Sequence, residues 1–122
     1  MRALVPGVAE GEIVRLTDGL SFWGGYDPEE GTIIDRSHPQ RGQSLIGKIV
    51  VMPQGRGSSS ASSVLAESLR LGTGPAAIVL GEPDSILVIG SLVAKLLYDV
   101  ECPIYLGDAS ELPEGHVRLG ET

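Results

Sequence analysis

Between residues 48 and 106 the chain alternates short apolar runs with stretches of helix length, and little else fits that rhythm. The runs are Lys48-Ile49-Val50-Val51-Met52, Ala76-Ala77-Ile78-Val79-Leu80 and Pro103-Ile104-Tyr105-Leu106. Continuous apolar segments of this length suit strands covered on both faces. In the first spacer Ala61, Val64, Leu65 and Ser68 share one helical face, with Leu69 and Leu71 beside it. Gly72 and Gly74 end that helix, and Pro75 prevents a restart. In the second spacer Asp84 suits an N-cap, and Ile86, Gly90, Val93, Ala94 and Leu97 lie on one face. The order β-α-β-α-β predicts a parallel core sheet with helices packed on it.

The N-terminal third has a different texture. Arg2 to Pro6 reads as a strand and Gly7 to Gly11 as a turn. Glu12-Ile13-Val14-Arg15-Leu16 alternates enough for a strand with one buried face. Asp18-Gly19 is a hairpin-type turn leading into Leu20-Ser21-Phe22-Trp23, which Gly24-Gly25 interrupts. After a Pro/Gly turn, Thr32-Ile33-Ile34-Asp35 is a further strand. Leu4 to Asp35 is therefore expected to form a β-meander lying against the parallel core as a second sheet or barrel wall. Arg36 to Gly47 is a polar loop long enough to suggest function; within it His38 precedes Pro39 and is biased toward extended geometry. The tail from Gly107 is turn-rich, with a last strand at His116 to Leu119. The fold class is α/β, in one domain over residues 1–122.

Composition narrows the function. Hydrophobic residues make up 42% of the chain, too many for a disordered segment. A formal net charge of −7 with no Lys/Arg run argues against nucleic acid or an anionic membrane as partner. Cys102 is the only cysteine, so no internal disulfide is possible and no zinc or iron–sulfur site can rest on this chain's thiols. It reads as a small buried hydrophobe. No signal peptide or membrane span is visible, and a cytosolic protein is expected.

The chemistry is expected where the first core strand ends. After Pro53 the chain runs Gly55-Arg56-Gly57-Ser58-Ser59-Ser60-Ala61-Ser62-Ser63, with five serines in six positions, and then enters the helix. A strand, a glycine-rich turn and a helix start leave backbone N–H groups without intrahelical partners, and the helix dipole adds positive potential there. A carboxylate, phosphate or oxyanion suits such a place. Ser58 or Ser59 suits the N-cap, with Ser59 and Ser60 the better placed if Ser58 faces the cleft, and a plain serine-rich cap is the non-functional alternative. The turn is no Walker loop, because the Gly-Lys-Ser/Thr ending is absent.

Several separated motifs carry a family resemblance: Leu20-Ser21-Phe22-Trp23-Gly24-Gly25, Ser37-His38-Pro39 with Gly42-Gln43-Ser44-Leu45, Gly47-Lys48-Ile49, and Gly55-Arg56-Gly57-Ser58-Ser59-Ser60. In this order they resemble the small subunit of the aconitase X proteins, over nearly the whole chain. The resemblance implies the swivelling β/β/α fold of the mobile aconitase domain. It also implies a large aconitase-like subunit carrying a 4Fe-4S cluster on its own cysteines, none being bound by this chain alone. The implied activity is a hydro-lyase of an archaeal-type mevalonate pathway, converting (R)-5-phosphomevalonate to trans-anhydromevalonate 5-phosphate. Dehydration of cis-3-hydroxy-L-proline is the alternative within the family, and a non-catalytic anion-binding module is the alternative outside it. In aconitases the base is the serine after the second glycine of a Gly-x-Gly-Ser-Ser turn, which corresponds to Ser58. Arg56, Gly57, Ser59 and His38 are expected to line the substrate. Aconitases and isopropylmalate isomerases continue with Arg-Glu-His, where this chain has Ser60-Ala61-Ser62. That departure argues against citrate or isopropylmalate and leaves Arg56 to supply the missing positive charge.

Overall fold

In a computed structural model, which describes residues 1–56 and 59–120, the three apolar runs are adjacent parallel strands. The first is Ile49–Met52, the second Ala77–Leu80 and the third Ile104–Leu106. Counting from the N-terminus, the strands are β1 (Arg2–Val5), β2 (Ala9–Arg15), β3 (Tyr26–Asp27), β4 (Thr32–Ile33), β5 (Ile49–Met52), β6 (Ala77–Leu80), β7 (Ile104–Leu106) and β8 (His116–Leu119). The helices are α1 (Phe22–Gly25), a single turn with non-helical backbone inside it, α2 (Ala61–Leu71) and α3 (Ser85–Tyr98).

Every residue of β5 and β6 is buried, as runs covered on both faces require. The pleat divides them. Val50, Met52, Ile78, Leu80 and Ile104 face a core shared with Leu65 and Leu69 of α2 and Leu87 and Ala94 of α3. Ile49, Val51, Ala77, Val79 and Tyr105 face a second cluster with Leu112, Val117 and Leu119. Helix α3 starts at Asp84, whose carboxylate accepts the Ile86 and Leu87 N–H groups at 2.9 and 3.1 Å. Helix α2 ends at Gly72 in left-handed geometry, and α3 at Asp99 likewise.

The α/β class and the β-α-β-α-β order are found, but β1 and β2 do not pair with each other, and of the N-terminal strands only β3 and β4 form a hairpin. The six-stranded sheet runs β1-β7-β6-β5-β2-β8. β1 lies antiparallel to β7 at one edge, while β2 is parallel to β5 on the far side. The first half of β2 pairs with β8 and the second half with β5. The Tyr105 hydroxyl donates to the Gly7 carbonyl at 2.7 Å, drawing the β1–β2 connection over the sheet. The result is one curled sheet, not a meander laid on a core. After Asp18-Gly19 the chain does not return beside β2. It crosses to the helical side, where Leu20, Phe22 and Tyr26 are buried in the core with α2 and α3. Alternation marks this segment as extended or half-buried, but burial of those three side chains decides where it goes. β3 and β4 form a separate two-stranded sheet. No helix among the described residues is long and apolar enough to cross a membrane.

Candidate functional site

Pro53 ends β5, and the chain emerges at the carboxyl end of the parallel strands, where open α/β sheets bind ligands. Residues Gln54 to Arg56 are held from two sides. On one side the Arg56 N–H donates to the Leu20 carbonyl at 3.3 Å, and Ser21 and Arg56 form a parallel bridge. On the other side Asp84 stands against Gly55. A Cβ on Gly55 would lie 2.0 Å from Asp84 Oδ2, so the turn passes there only because residue 55 has no side chain. Asp84 thus fixes two things at once: its Oδ1 caps α3, and its Oδ2 sits against the serine turn.

Gly57 and Ser58, the expected binding glycine and base, lie outside the described residues. Beyond them, Ser59 and Ser60 are exposed and lead into α2. Of the serines suited to the cap it is Ser60 that precedes the helix, and its side chain makes no capping bond. The first turn is closed by main-chain carbonyls instead. Ser59 O accepts the Ser62 N–H at 3.3 Å and the Ser62 hydroxyl at 2.8 Å, and Ser60 O accepts the Ser63 and Val64 N–H groups. Donors for an anion must therefore come from the residues ahead of Ser62.

Arg56 has an exposed side chain on the rim of this turn. Its charge reaches Asp35, whose carboxyl is held below its ordinary range. The chief cause is the Ser37 hydroxyl, then the Ser37 N–H, with the charge of Arg56 adding to it. His38 is 4% exposed. The Gln40 N–H donates to its Nδ1 at 3.0 Å, which leaves Nε2 to carry the proton and donate to Asp18 O at 3.3 Å. Both ring nitrogens are thus engaged by main chain. His38 ties the Arg36–Gly47 loop to the Asp18-Gly19 turn, which in turn packs on Gln54 and Arg56.

The structure therefore bridges Arg56 to Ser21 and puts Asp35, bonded to Ser37, within reach of its charge, while His38 is buried against the Asp18 carbonyl. Asp84 is the neighbour that sequence reading missed. Its N-cap pattern was visible, but nothing local indicates that its second oxygen abuts a turn 29 positions earlier. Asp35 was readable only as a strand end, although Asp-x-Ser is a common turn signature.

Beside the turn, a groove of about 520 Å³ opens at the ends of the parallel strands, lined among others by Thr17, Pro53, Gln54, Gly81, Glu82 and Asp108. Arg15 in its wall is already spent. Its guanidinium donates to Ala109 O and Leu112 O at 2.7 Å each, and to Glu114. Among the described residues no group of three His, Cys, Asp or Glu could hold a metal ion. Cys102 is buried, and burial pushes its thiol up to about 12. The residues described do not fit an iron–sulfur cluster.

Residues 1–117 match the family described as Aconitase X swivel domain. The chain is 50% identical over 103 residues to the cis-3-hydroxy-L-proline dehydratase of Pseudomonas aeruginosa, covering 84% of this chain and 18% of that one. It is 39% identical over 115 residues to the phosphomevalonate dehydratase small subunit of Pyrococcus furiosus, covering 93% of this chain and 81% of that one. The chain spans less than a fifth of the length of the hydroxyproline dehydratases it matches, at 18% and 19%. Among solved structures, Thermococcus kodakaraensis aconitase X superimposes with a TM-score of 0.85 at 39% identity, covering 98% of this chain and 88% of that one.

Proposed function

The chain belongs to the aconitase X swivel-domain family, and from that premise we propose that it is the serine-bearing component of a dehydratase acting on (R)-5-phosphomevalonate. The observation that carries this reading is the Gln54–Arg56 segment at the carboxyl end of β5, with Arg56 bridged to Ser21 and Gly55 set against Asp84, directly before Gly57-Ser58 in the sequence. In this reading Ser58 Oγ takes a proton from the carbon alpha to the substrate carboxylate. The electron pair of that C–H bond forms the alkene as the hydroxyl on the next carbon leaves with its bonding pair as hydroxide; the proton taken up at Ser58 Oγ is then released to match it, so that one water is lost overall. A serine hydroxyl is a weak base near neutral pH and needs concentrated positive potential to act as one. Arg56, Gly57 and Ser59, at the start of α2, are the groups assigned to supply that potential and to hold the substrate. His38 contributes by holding the loop behind Arg56. Lewis-acid assistance to the leaving hydroxyl belongs to an iron–sulfur cluster in a large aconitase-like partner. Turnover is accordingly assigned to the complex of the two chains, in the cytoplasm.

The phosphomevalonate assignment is supported by relatives of that name, 39% identical to this chain along most of both lengths. The second reading, dehydration of cis-3-hydroxy-L-proline, is favoured by the 50% identity to the Pseudomonas enzyme. The test is product formation by the complex with each substrate in turn. Turnover of 5-phosphomevalonate alone supports the first reading, turnover of the hydroxyproline alone replaces it with the second, and anion binding without either product sinks both.

A further inference from the structure

The segment Leu20–Gly25 takes no part in the reaction as proposed, yet its geometry is tightly fixed. Phe22 is fully buried, with its ring centroid 5.0 Å from that of Tyr26. The Ser21 hydroxyl donates to the Trp23 carbonyl at 2.8 Å. The backbone then leaves helical geometry at Trp23 (φ −85°, ψ 112°), and Gly24 takes a positive φ of 80°. This kink sends the side chain after the Phe22 anchor outward. Trp23, the one tryptophan of the chain, is 59% exposed. A large indole left in water by a constrained backbone is what a docking anchor looks like before its partner arrives.

Its surroundings fit that use. The Gly25 carbonyl accepts the Ile34 N–H at 2.9 Å and the Asp35 N–H at 3.3 Å, so Ile34, itself 47% exposed, is joined to the same kink. Arg56 is joined to it through the Ser21 bridge and by its charge on Asp35. Exposed apolar Trp23 and Ile34 thus share this kink with charged Asp35 and Arg56, an apolar centre with polar neighbours as interfaces have. Arg56 is also the residue just before Gly57-Ser58, so a chain that closes over the serine turn must lie against this patch.

We infer that Trp23 anchors this domain to the cluster-bearing aconitase-like chain, an inference that rests on the function proposed above. The probe is 5-fluorotryptophan incorporated into this chain, observed by ¹⁹F NMR as the unlabelled, cluster-loaded partner chain is added without substrate. The expected result is a shifted and broadened resonance on association. Trp23→Ala should raise the dissociation constant of the complex at least about tenfold, and Trp23→Phe should recover part of the loss. Association that leaves the resonance unmoved, or a Trp23→Ala chain that binds within about twofold of the parent, overturns the anchoring role and leaves the proposed function standing. A resonance that moves only when substrate is added overturns it in favour of a substrate contact. Failure of the unaltered chains to associate at all overturns the proposed function, and the anchor with it.

Discussion

At the residue scale, Gly55 and Ser58 lead to different experiments. A Cβ at residue 55 would meet a carboxylate that cannot easily move, because Asp84 Oδ1 holds two α3 N–H groups. Gly55→Ala must therefore break the cap, at about 1 kcal/mol, or displace the serine turn. A displacement of about 1 Å near reacting atoms costs on the order of 10²-fold in rate. A lowered urea midpoint together with a reduced kcat is expected, and a variant normal in both would show that the turn tolerates the clash. Ser58→Ala should fold and join its partner normally while losing about 10²- to 10⁴-fold in turnover. Ser59→Ala should leave measurable turnover and act more on binding or stability. Steady-state kinetics of the complex separate them; a Ser58→Ala complex retaining more than about a tenth of the parent rate would remove serine 58 as the base.

At the scale of elements, the serine turn depends on how α2 packs against α3. Gly90 of α3 passes so close to α2 that a Cβ there would lie 2.8 Å from Ser62 O and 3.2 Å from Leu65 Cδ2. Alanine would gain about 1 kcal/mol of helix propensity. Overpacking of this kind costs about 1–3 kcal/mol, and here the obstacle is main chain, which yields less than a side chain. Gly90→Ala is expected to be destabilising on balance, by up to about 2 kcal/mol in urea unfolding. Ser62 lies just beyond the segment proposed to be catalytic, so the shift should also reduce turnover. A stabilised, fully active variant would mean that the helices part without cost.

At the scale of the whole molecule, burial of two weak acids sets an alkaline limit. Burial pushes the Cys102 thiol from its ordinary 9.0 up to about 12. It also pushes the Tyr26 phenol well above its ordinary range, with Asp27 adding to the effect, and the phenol donates to the Thr73 carbonyl at 2.6 Å. The folded chain keeps protons that the unfolded chain releases, so stability is intact below about pH 9 and falls as pH rises beyond it. For Cys102 alone the slope approaches about 1.4 kcal/mol per pH unit. Urea midpoints should hold up to about pH 9 and decline from there to about pH 10.5. A thiol reagent at about pH 8 should modify the unfolded chain but not the native one. Rapid modification of the native chain would contradict the burial.

The sequence by itself determined the β-α-β-α-β core, because strand runs covered on both faces and the 3.6-residue helical period are written into neighbouring residues. The Asp84 cap was legible for the same local reason. The glycine–serine turn could be placed between β5 and α2, since Pro53 and the glycines punctuate it, but the sequence left open which serine precedes α2, because main-chain carbonyls, not a serine side chain, close its first turn. Only tertiary structure decided that β1 and β2 lie on opposite sides of the parallel strands, that both ring nitrogens of His38 are taken by main chain, and that Trp23 is turned outward. Each of these depends on partners distant in sequence. A strand's alternation states which of its faces is buried, not which strand it will lie beside. A histidine's type states what it can bond, not whether a carbonyl 20 residues away has already used it.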